Sequence, residues 1–292
     1  MEIRKLQIVG GSSYMISLPK GWIRSNNLNQ GDELILQVEK TFLRIFPKKN
    51  LNRLSSVSVS IPKTDDSFLR RFIYALYIQG LDEIVLKGNI SPEVVVRVNE
   101  IIRDLIGMEM IDVTDDRIVL RCIMRPDFDI THTLRRMYQI VYEMFDCVTK
   151  SPNSRDLLKL KEDAHRFYLL AVRLSYKCMR DLVDWDKMNK AIEIRTIMRI
   201  LKEIADILHD GVSPKDERTR IMLDLRRLFK VVMDTYFNGN LISCEGIMEM
   251  TREFKRELVD KDTALFELCR KIETIGEIAF NKSVYEYISI QI

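Results

Sequence analysis

Basic side chains are concentrated at the start of the chain, where they could contact nucleic acid. Residues 1–50 hold eight Lys and Arg residues against four Asp and Glu residues, whereas residues 51–292 carry a net charge of −1. Lys and Arg contact DNA phosphates, and Arg can also hydrogen-bond to guanine in the major groove. The candidates for such contacts are Arg4, Lys5, Lys20 and Arg24. We expect them to bind DNA; the alternative is that these charges only favour solubility.

The motifs of common enzyme classes do not occur in the sequence. No two of the three histidines (His132, His165 and His209) have the spacing of a metal-binding pair, and no Gly-rich phosphate-binding loop or Gly-x-Ser-x-Gly segment occurs. Acidic residues lie among lysines and arginines, which lower a carboxyl pKa, whereas an acid–base catalyst needs it raised. An enzyme is therefore the least supported class of protein, and no cofactor is expected except the metal ions considered below.

The composition is that of a folded protein with more than one domain. The chain has 292 residues, 46% hydrophobic and 30% charged; at ~150 residues per domain this length favours two or three domains. No apolar segment reaches the ~18 residues of a membrane span and no signal peptide is apparent, so we expect a cytoplasmic protein without membrane insertion. The five cysteines are widely spaced and are expected to be reduced.

Residues 1–50 have the pattern of short strands separated by turns. Two β-prone stretches flank Gly10–Ser13, and a second turn at 29–32 precedes two more. A segment of this size exposes more apolar surface than it can cover by itself. We therefore expect a second subunit to complete its fold.

The motifs of this segment resemble those of the AbrB/SpoVT family of swapped-hairpin DNA-binding modules. The resemblance is carried by four sequence features in order: Arg4–Gln7, Gly11–Lys20 (Gly-Ser-Ser-Tyr-Met-Ile-Ser-Leu-Pro-Lys), Trp22 and Gly31–Leu34. In that family two chains interlace into one β-barrel dimer whose basic face contacts DNA. The resemblance implies a homodimer that binds DNA through the four cations named above.

Residues 51–124 alternate strand and helix patterns in the order βαβαββ. The expected elements are strands at 57–61 and 83–86, helices at 65–79 and from Ser91-Pro92 to about Gly107, and a hairpin formed by 108–113 and 118–122. This order predicts a small α/β sandwich. We attach no activity to it.

From residue 125 to the end, the pattern is helical. Apolar residues recur at three- and four-residue steps in two long runs, 157–178 and 221–236. Turn signals divide the region into about six helices; they lie at 151–153, 184–186, 211–214, 238–240 and 260–262. Long helices with short connections predict an antiparallel bundle of two three-helix units. The expected fold class is therefore multidomain α+β, with domains 1–50, 51–124 and 125–292.

Three segments of the helical region resemble PhoU domains: 157–168, 200–206 and 271–279. Proteins of that family regulate phosphate uptake and its gene control. An AbrB-like module followed by a PhoU-like bundle is similar to the archaeal phosphate-uptake regulators. The resemblance implies a role in phosphate homeostasis, with a phosphate transporter or a signalling protein as a partner.

PhoU domains also carry acidic pairs four residues apart, so that two carboxylates share one helix face and can bind divalent or iron-type metal ions. By this resemblance the candidate ligands form two pairs: Asp206 with Asp210, and Glu273 with Glu277. The chain departs from the family at three positions expected to be acidic: Lys161, His165 and Lys202. Because a lysine repels a cation, a solvated charged surface is the favoured alternative.

The sequence therefore predicts a homodimeric DNA-binding regulator whose helical region receives a signal or binds a partner protein. The alternative is an accessory protein of phosphate transport in which the first module only dimerises.

Overall fold

The computed structural model describes residues 2–38, 42–50, 55–124, 129–150, 155–180, 185–211, 216–239, 241–258 and 262–291. The chain divides into two compact units, Met1–Ser55 and Ser56–Ile292, which we call the N-terminal unit and the C-terminal unit.

The N-terminal unit consists of two β-hairpins and a short helix. Its elements are β1 (Gln7–Val9), β2 (Ser13–Met15), α1 (Lys20–Ser25), β3 (Leu34–Val38), β4 (Leu43–Pro47) and a 3-10 turn at Lys48–Asn50. Gly10 and Gly11 have φ angles of 66° and 78° at the turn between β1 and β2, which glycine adopts without strain. The predicted strands and turns are confirmed, but the strands of the first hairpin are shorter than expected. Helix α1, which begins directly after Pro19, was not predicted.

The first part of the C-terminal unit is the predicted βαβαββ sandwich. Its elements are β5 (Ser56–Ser60), α2 (Asp66–Ile78), β6 (Glu83–Lys87), α3 (Pro92–Ile102), β7 (Met108–Thr114) and β8 (Arg117–Cys122). The strand order is β5-β6-β8-β7, with β5 parallel to β6 and the other neighbours antiparallel. Helix α3 begins as predicted, because the Ser91 hydroxyl accepts a hydrogen bond from the amide of Val94 and Pro92 occupies the first turn.

Apolar residues of both sandwich helices and of the central strands form the core of this part. Fully buried side chains include Leu69 and Ile73 of α2, Val98 of α3, Leu86 of β6 and Leu120 of β8. Alternation along the strands places these residues on one sheet face, which the helices cover.

In the described part of the chain, six helices follow the sandwich, as predicted. They are α4 (Ile130–Lys150), α5 (Arg155–Arg180), α6 (Trp185–Asp210), α7 (Asp216–Asn238), α8 (Leu241–Leu258) and α9 (Thr263–Gln291). Helices α4–α6 pack together, as do α7–α9, and one hydrophobic core runs through both groups. Most of the predicted turn residues lie outside the described residues. No described helix combines the length and apolar character needed to cross a bilayer.

Helix α5 joins the sandwich to the helices. It packs against α4 and α6 on one side and against α2 on the other. Consequently Ala164 and Ala171 belong to the core of the helices, whereas Leu169 belongs to the core of the sandwich. The sandwich and the helices therefore form a single compact unit.

Candidate functional site

The N-terminal unit leaves most of its apolar strand residues uncovered. Every residue of β1 and β2 is exposed, and the paired residues Ile8 and Tyr14 are 64% and 70% exposed. Val38 at the end of β3 is 77% exposed, whereas Leu28 is buried. A two-stranded hairpin is marginally stable in water unless its apolar side chains are covered. The unit by itself therefore leaves an apolar surface uncovered.

Two of the four predicted DNA-contacting cations come together on helix α1. Lys20 and Arg24 are both exposed and lie four residues apart, on one helix face. Arg4 and Lys5 are exposed residues that precede β1, and Arg4 contacts the carboxylate of Glu2. The structure thus provides a basic helix face at Lys20 and Arg24 and a second basic segment at the start of β1.

The lysines that follow β4 contact the unit itself. The Lys48 ammonium lies 2.7 Å from the Glu33 carboxylate, and Lys49 donates to the carbonyl of Asn27 at 2.5 Å and to Asp32 at 3.4 Å. The pKa of the Asp32 carboxyl is lowered, first by the backbone amide of Asn29 and also by Lys49. These contacts hold the end of the second hairpin to the turn before β3.

A second candidate site lies in the C-terminal unit, in a cleft of about 1260 Å³ that we call the interlayer cleft. It is bordered by α2 and the connection from α3 to β7 on one side and by α5 and α6 on the other. Four basic residues are half-buried in its floor: Lys161, His165, Arg166 and Lys202. Its exposed rim carries five charged residues: Arg70, Glu100, Arg103, Glu109 and Glu162. Its volume is somewhat above the ~300–1,000 Å³ typical of small-molecule sites, and most of its lining residues are charged or polar.

Both floor lysines pair with carboxylates of α6: Lys161 does so from α5 and Lys202 from α6 itself. The Lys161 ammonium lies 2.8 Å and 3.0 Å from the two carboxylate oxygens of Asp210, and 3.2 Å from Nδ1 of His209. The Lys202 ammonium lies 2.6 Å from the carboxylate of Asp206, one turn along α6. The hydrogen bond from Lys161 is the main cause of the lowered pKa of Asp210, followed by that from His209.

An aromatic pair lines the cleft beside the lysines. The Tyr74 hydroxyl donates a hydrogen bond to the Asp104 carboxylate, which also pairs with Arg70 at 2.8 Å. Burial, followed by the hydrogen bond to Asp104, raises the pKa of Tyr74 to about 12. The rings of Tyr74 and His165 have centroids 5.7 Å apart. Burial, followed by the charge of Lys202, lowers the pKa of His165 and so disfavours its charged form.

The four predicted metal ligands are distributed over two helices. On α6, the carboxylates of Asp206 and Asp210 both pair with lysines. On α9, the buried Glu273 carboxylate lies 2.5 Å from the Lys255 ammonium, and Glu277 is exposed. Among the described residues, no group of three or more His, Cys, Asp or Glu side chains converges on one point. Metal binding therefore stays a prediction from the resemblance alone.

A basic cluster on α5 was missed by the sequence analysis. Arg173 is 1% exposed and donates to the carbonyls of Tyr77 (2.9 Å) and Leu81 (2.7 Å), around the end of α2. Lys177 pairs with Asp82 at 3.0 Å, and Arg180 donates to the carbonyl of Gly80 at 2.8 Å. Their spacing of three and four residues within an apolar run was the available signal. The three cations attach α5 to the carbonyl end of α2.

Comparison with known families finds a match to the start of the chain. Residues 7–52 match the family described as antidote-toxin recognition MazE, bacterial antitoxin. The match supports the swapped-hairpin type of module predicted for the start of the chain and is consistent with a module that dimerises and binds DNA. No match was found among curated proteins or among solved structures. The similarity of the helical region to PhoU domains stays a prediction.

Proposed function

We propose that this protein is a cytoplasmic, homodimeric transcription regulator that binds DNA through its N-terminal unit. The observation that carries the proposal is the uncovered apolar surface of a MazE-type unit that also holds the positive excess of the chain. The apolar surface requires a second copy, and the exposed cations Lys20 and Arg24 favour an anionic polymer as the ligand of the dimer.

The energy available from dimerisation is large for a unit of this size. Burying one large apolar side chain contributes about 1.5–3 kcal/mol. Covering five of the exposed apolar residues in each chain would therefore contribute up to about 7.5–15 kcal/mol per chain, comparable with the stability of a whole domain. An isolated N-terminal unit lacks this contribution, so folding and dimerisation of the unit are coupled.

A two-fold dimer presents the basic helix face twice. Each chain contributes the same Lys20 and Arg24, so the two faces are related by the dimer axis. A DNA site bound by both faces has matching two-fold symmetry. We therefore expect an operator with two similar half-sites.

The proposed regulated process is phosphate uptake, with the helices of the C-terminal unit receiving the signal. Support comes from the three PhoU-like segments and from the order of the two modules along the chain. The second candidate is a phosphate-transport accessory protein in which the N-terminal unit only dimerises. The uncovered apolar surface favours dimerisation in both cases, so DNA binding separates the two functions.

The test is fluorescence anisotropy of the full-length protein on labelled DNA fragments, including its own promoter, over a series of salt concentrations. The double variant Lys20→Gln/Arg24→Gln removes four cations from a dimer. If each contacts a phosphate, the slope of log K against log salt falls by about 3.6, at about 0.9 per contact.

The matched control is Lys48→Gln/Lys49→Gln, which removes the same charge from positions already paired within the unit. We expect selective binding to one fragment, a large loss for the Lys20/Arg24 variant and a small loss for the control. Absence of selective binding by the wild-type dimer would exclude the regulator and favour the accessory protein. Equal losses in both double variants would show that α1 is not the DNA-contacting face.

A further inference from the structure

The interlayer cleft has a floor that favours anions, although carboxylates also line it. Three acidic residues of the cleft, Glu100, Glu109 and Glu162, are exposed at the rim and have no ion pair among the described residues. Water and salt screen exposed charges strongly, whereas half-buried charges such as those of Lys161 and Lys202 are screened less. An anion that enters the cleft therefore interacts more strongly with the floor lysines than with the rim acids.

Three half-buried carboxylates also face the cleft, but each is already paired with a cation: Asp104 with Arg70, Asp163 with Arg166 and Asp206 with Lys202. Lys161 differs from these cations because its partner, Asp210, does not line the cleft and is 62% exposed at its side chain. Lys161 therefore contributes a positive charge whose balancing carboxylate points towards solvent.

The basic residues of the floor come from two neighbouring helices and line the same cleft. Lys161 and His165 lie one turn apart on α5, so they share a helix face. Lys202 of α6 is close enough to His165 to disfavour its protonation electrostatically. We propose that the interlayer cleft binds the phosphoryl group of a small molecule between Lys161, His165 and Lys202.

A phosphoryl group fits this arrangement better than a carboxylate does. It carries a charge of about −1.5 to −2 at neutral pH and three strongly accepting oxygens. It can therefore accept hydrogen bonds from two ammonium groups and one imidazole together, and it competes with the singly charged Asp206 and Asp210 for their lysines. Charge-assisted hydrogen bonds of this kind are about twice as strong as neutral ones.

The rest of the cleft can hold more than a free anion. The Tyr74 ring lies beside His165, and the carboxylates of Asp104 and Asp163 can accept hydrogen bonds from ligand hydroxyl or amino groups. A volume of about 1260 Å³ accommodates a nucleotide or a phosphorylated metabolite. Free phosphate and a phosphorylated metabolite present the same phosphoryl group, and the cleft is large enough for either ligand.

The position of the cleft gives binding a structural consequence. A ligand there contacts the sandwich through Tyr74 and the helices through Lys161 and Lys202, so it connects the two layers of the C-terminal unit. This inference deepens the proposed sensing role and rests on it for its biological purpose. Ligand binding itself is measured without DNA, so failure of the site and failure of the proposed function can be distinguished.

The experiment is isothermal titration calorimetry of the full-length protein at low salt with inorganic phosphate, AMP and adenosine. We expect inorganic phosphate or AMP to bind with Kd below about 1 mM and adenosine not to bind detectably. Lys161→Met and Lys202→Met should each weaken binding at least tenfold. The control Lys190→Met removes an exposed lysine on the same helix as Lys202, outside the cleft, and should leave Kd unchanged.

AMP that binds much more tightly than phosphate would identify a nucleotide-type ligand; similar affinities would identify the free anion. Either result supports the proposal. Lys202→Arg keeps the cation and should keep most of the binding, which separates loss of charge from loss of folding. No binding of phosphate or AMP up to about 5 mM would overturn the proposal, as would unchanged affinity in folded Lys161→Met and Lys202→Met variants.

Discussion

Replacing Arg173 with methionine should destabilise the C-terminal unit, because this arginine joins α5 to the end of α2. Its guanidinium is buried and donates to two carbonyl oxygens, those of Tyr77 and Leu81, and it also lies over the Tyr77 ring at 4.9 Å. A methionine fills much of the same volume but donates no hydrogen bond. The substitution therefore removes the polar contacts while limiting the cavity that is left.

The expected magnitude follows from these contacts. Hydrogen bonds from a charged group contribute about 1.5–3 kcal/mol each. The Tyr77 carbonyl keeps the Gly80 amide as a donor at 3.0 Å, whereas the Leu81 carbonyl loses its guanidinium partner. The substitution also removes the free-energy cost of burying the Arg173 charge. That cost includes the buried Nε of Arg173, which has no acceptor among the described residues. We expect a net loss of about 3 kcal/mol, or about 6–12 °C in Tm.

Urea denaturation followed by circular dichroism, together with Tm, measures this loss. Arg155→Met is the matched control, because Arg155 is exposed in the first turn of the same helix, and it should change Tm by less than about 2 °C. If Arg173→Met is as stable as the wild type, or more stable, the free-energy cost of burying the guanidinium equals or exceeds the stabilisation from its hydrogen bonds. The proposed role of Arg173 would then be refuted.

Gly80→Ala should lower the unfolding free energy by about 1–2 kcal/mol, because Gly80 has φ of 75° and a Cβ would lie 3.2 Å from Lys177. Gly246→Ala, in a helix with open space, should instead raise it by about 0.5–1 kcal/mol in the same denaturation assay; the same sign for both would contradict the argument. Ile8→Asp should abolish the dimer in sedimentation velocity, and a dimer that persists would place the interface elsewhere. Because the pKa of His165 lies below its ordinary 6.5 in the folded state, the unfolded chain binds more protons, so stability should fall below about pH 6.5. Denaturation at pH about 7.5 and about 5.5 should show a smaller fall for His165→Gln, and an equal fall would exclude His165 as a cause.

Local signals in the sequence were sufficient for most of the fold. Ser91-Pro92 marked the start of α3, alternation marked the strands, and the three- and four-residue periodicity marked the long helices. These features depend on neighbours along the chain, and in each case the local preference agrees with the final structure. The order of strands in the sheet depends on long-range packing and was not predicted.

Apart from the short helix α1, the features missed by the sequence analysis depend on docking between distant segments. Helix α5 buries two faces, because the sandwich packs on the side opposite the other helices. Arg173 therefore lies in a core although its type predicts a surface position. Lys161, His165 and Lys202 were noted only as departures from a metal-binding pattern, and their convergence on one cleft required the packing of α5 against α6.

The central claim, that the N-terminal unit forms a dimer that binds DNA, is tested most directly by sedimentation velocity of the full-length protein with a fluorescent promoter duplex. We predict a labelled complex with the mass of two chains and one duplex, and its loss in the Ile8→Asp variant. A duplex that sediments as free DNA in the presence of a dimeric protein would contradict the account.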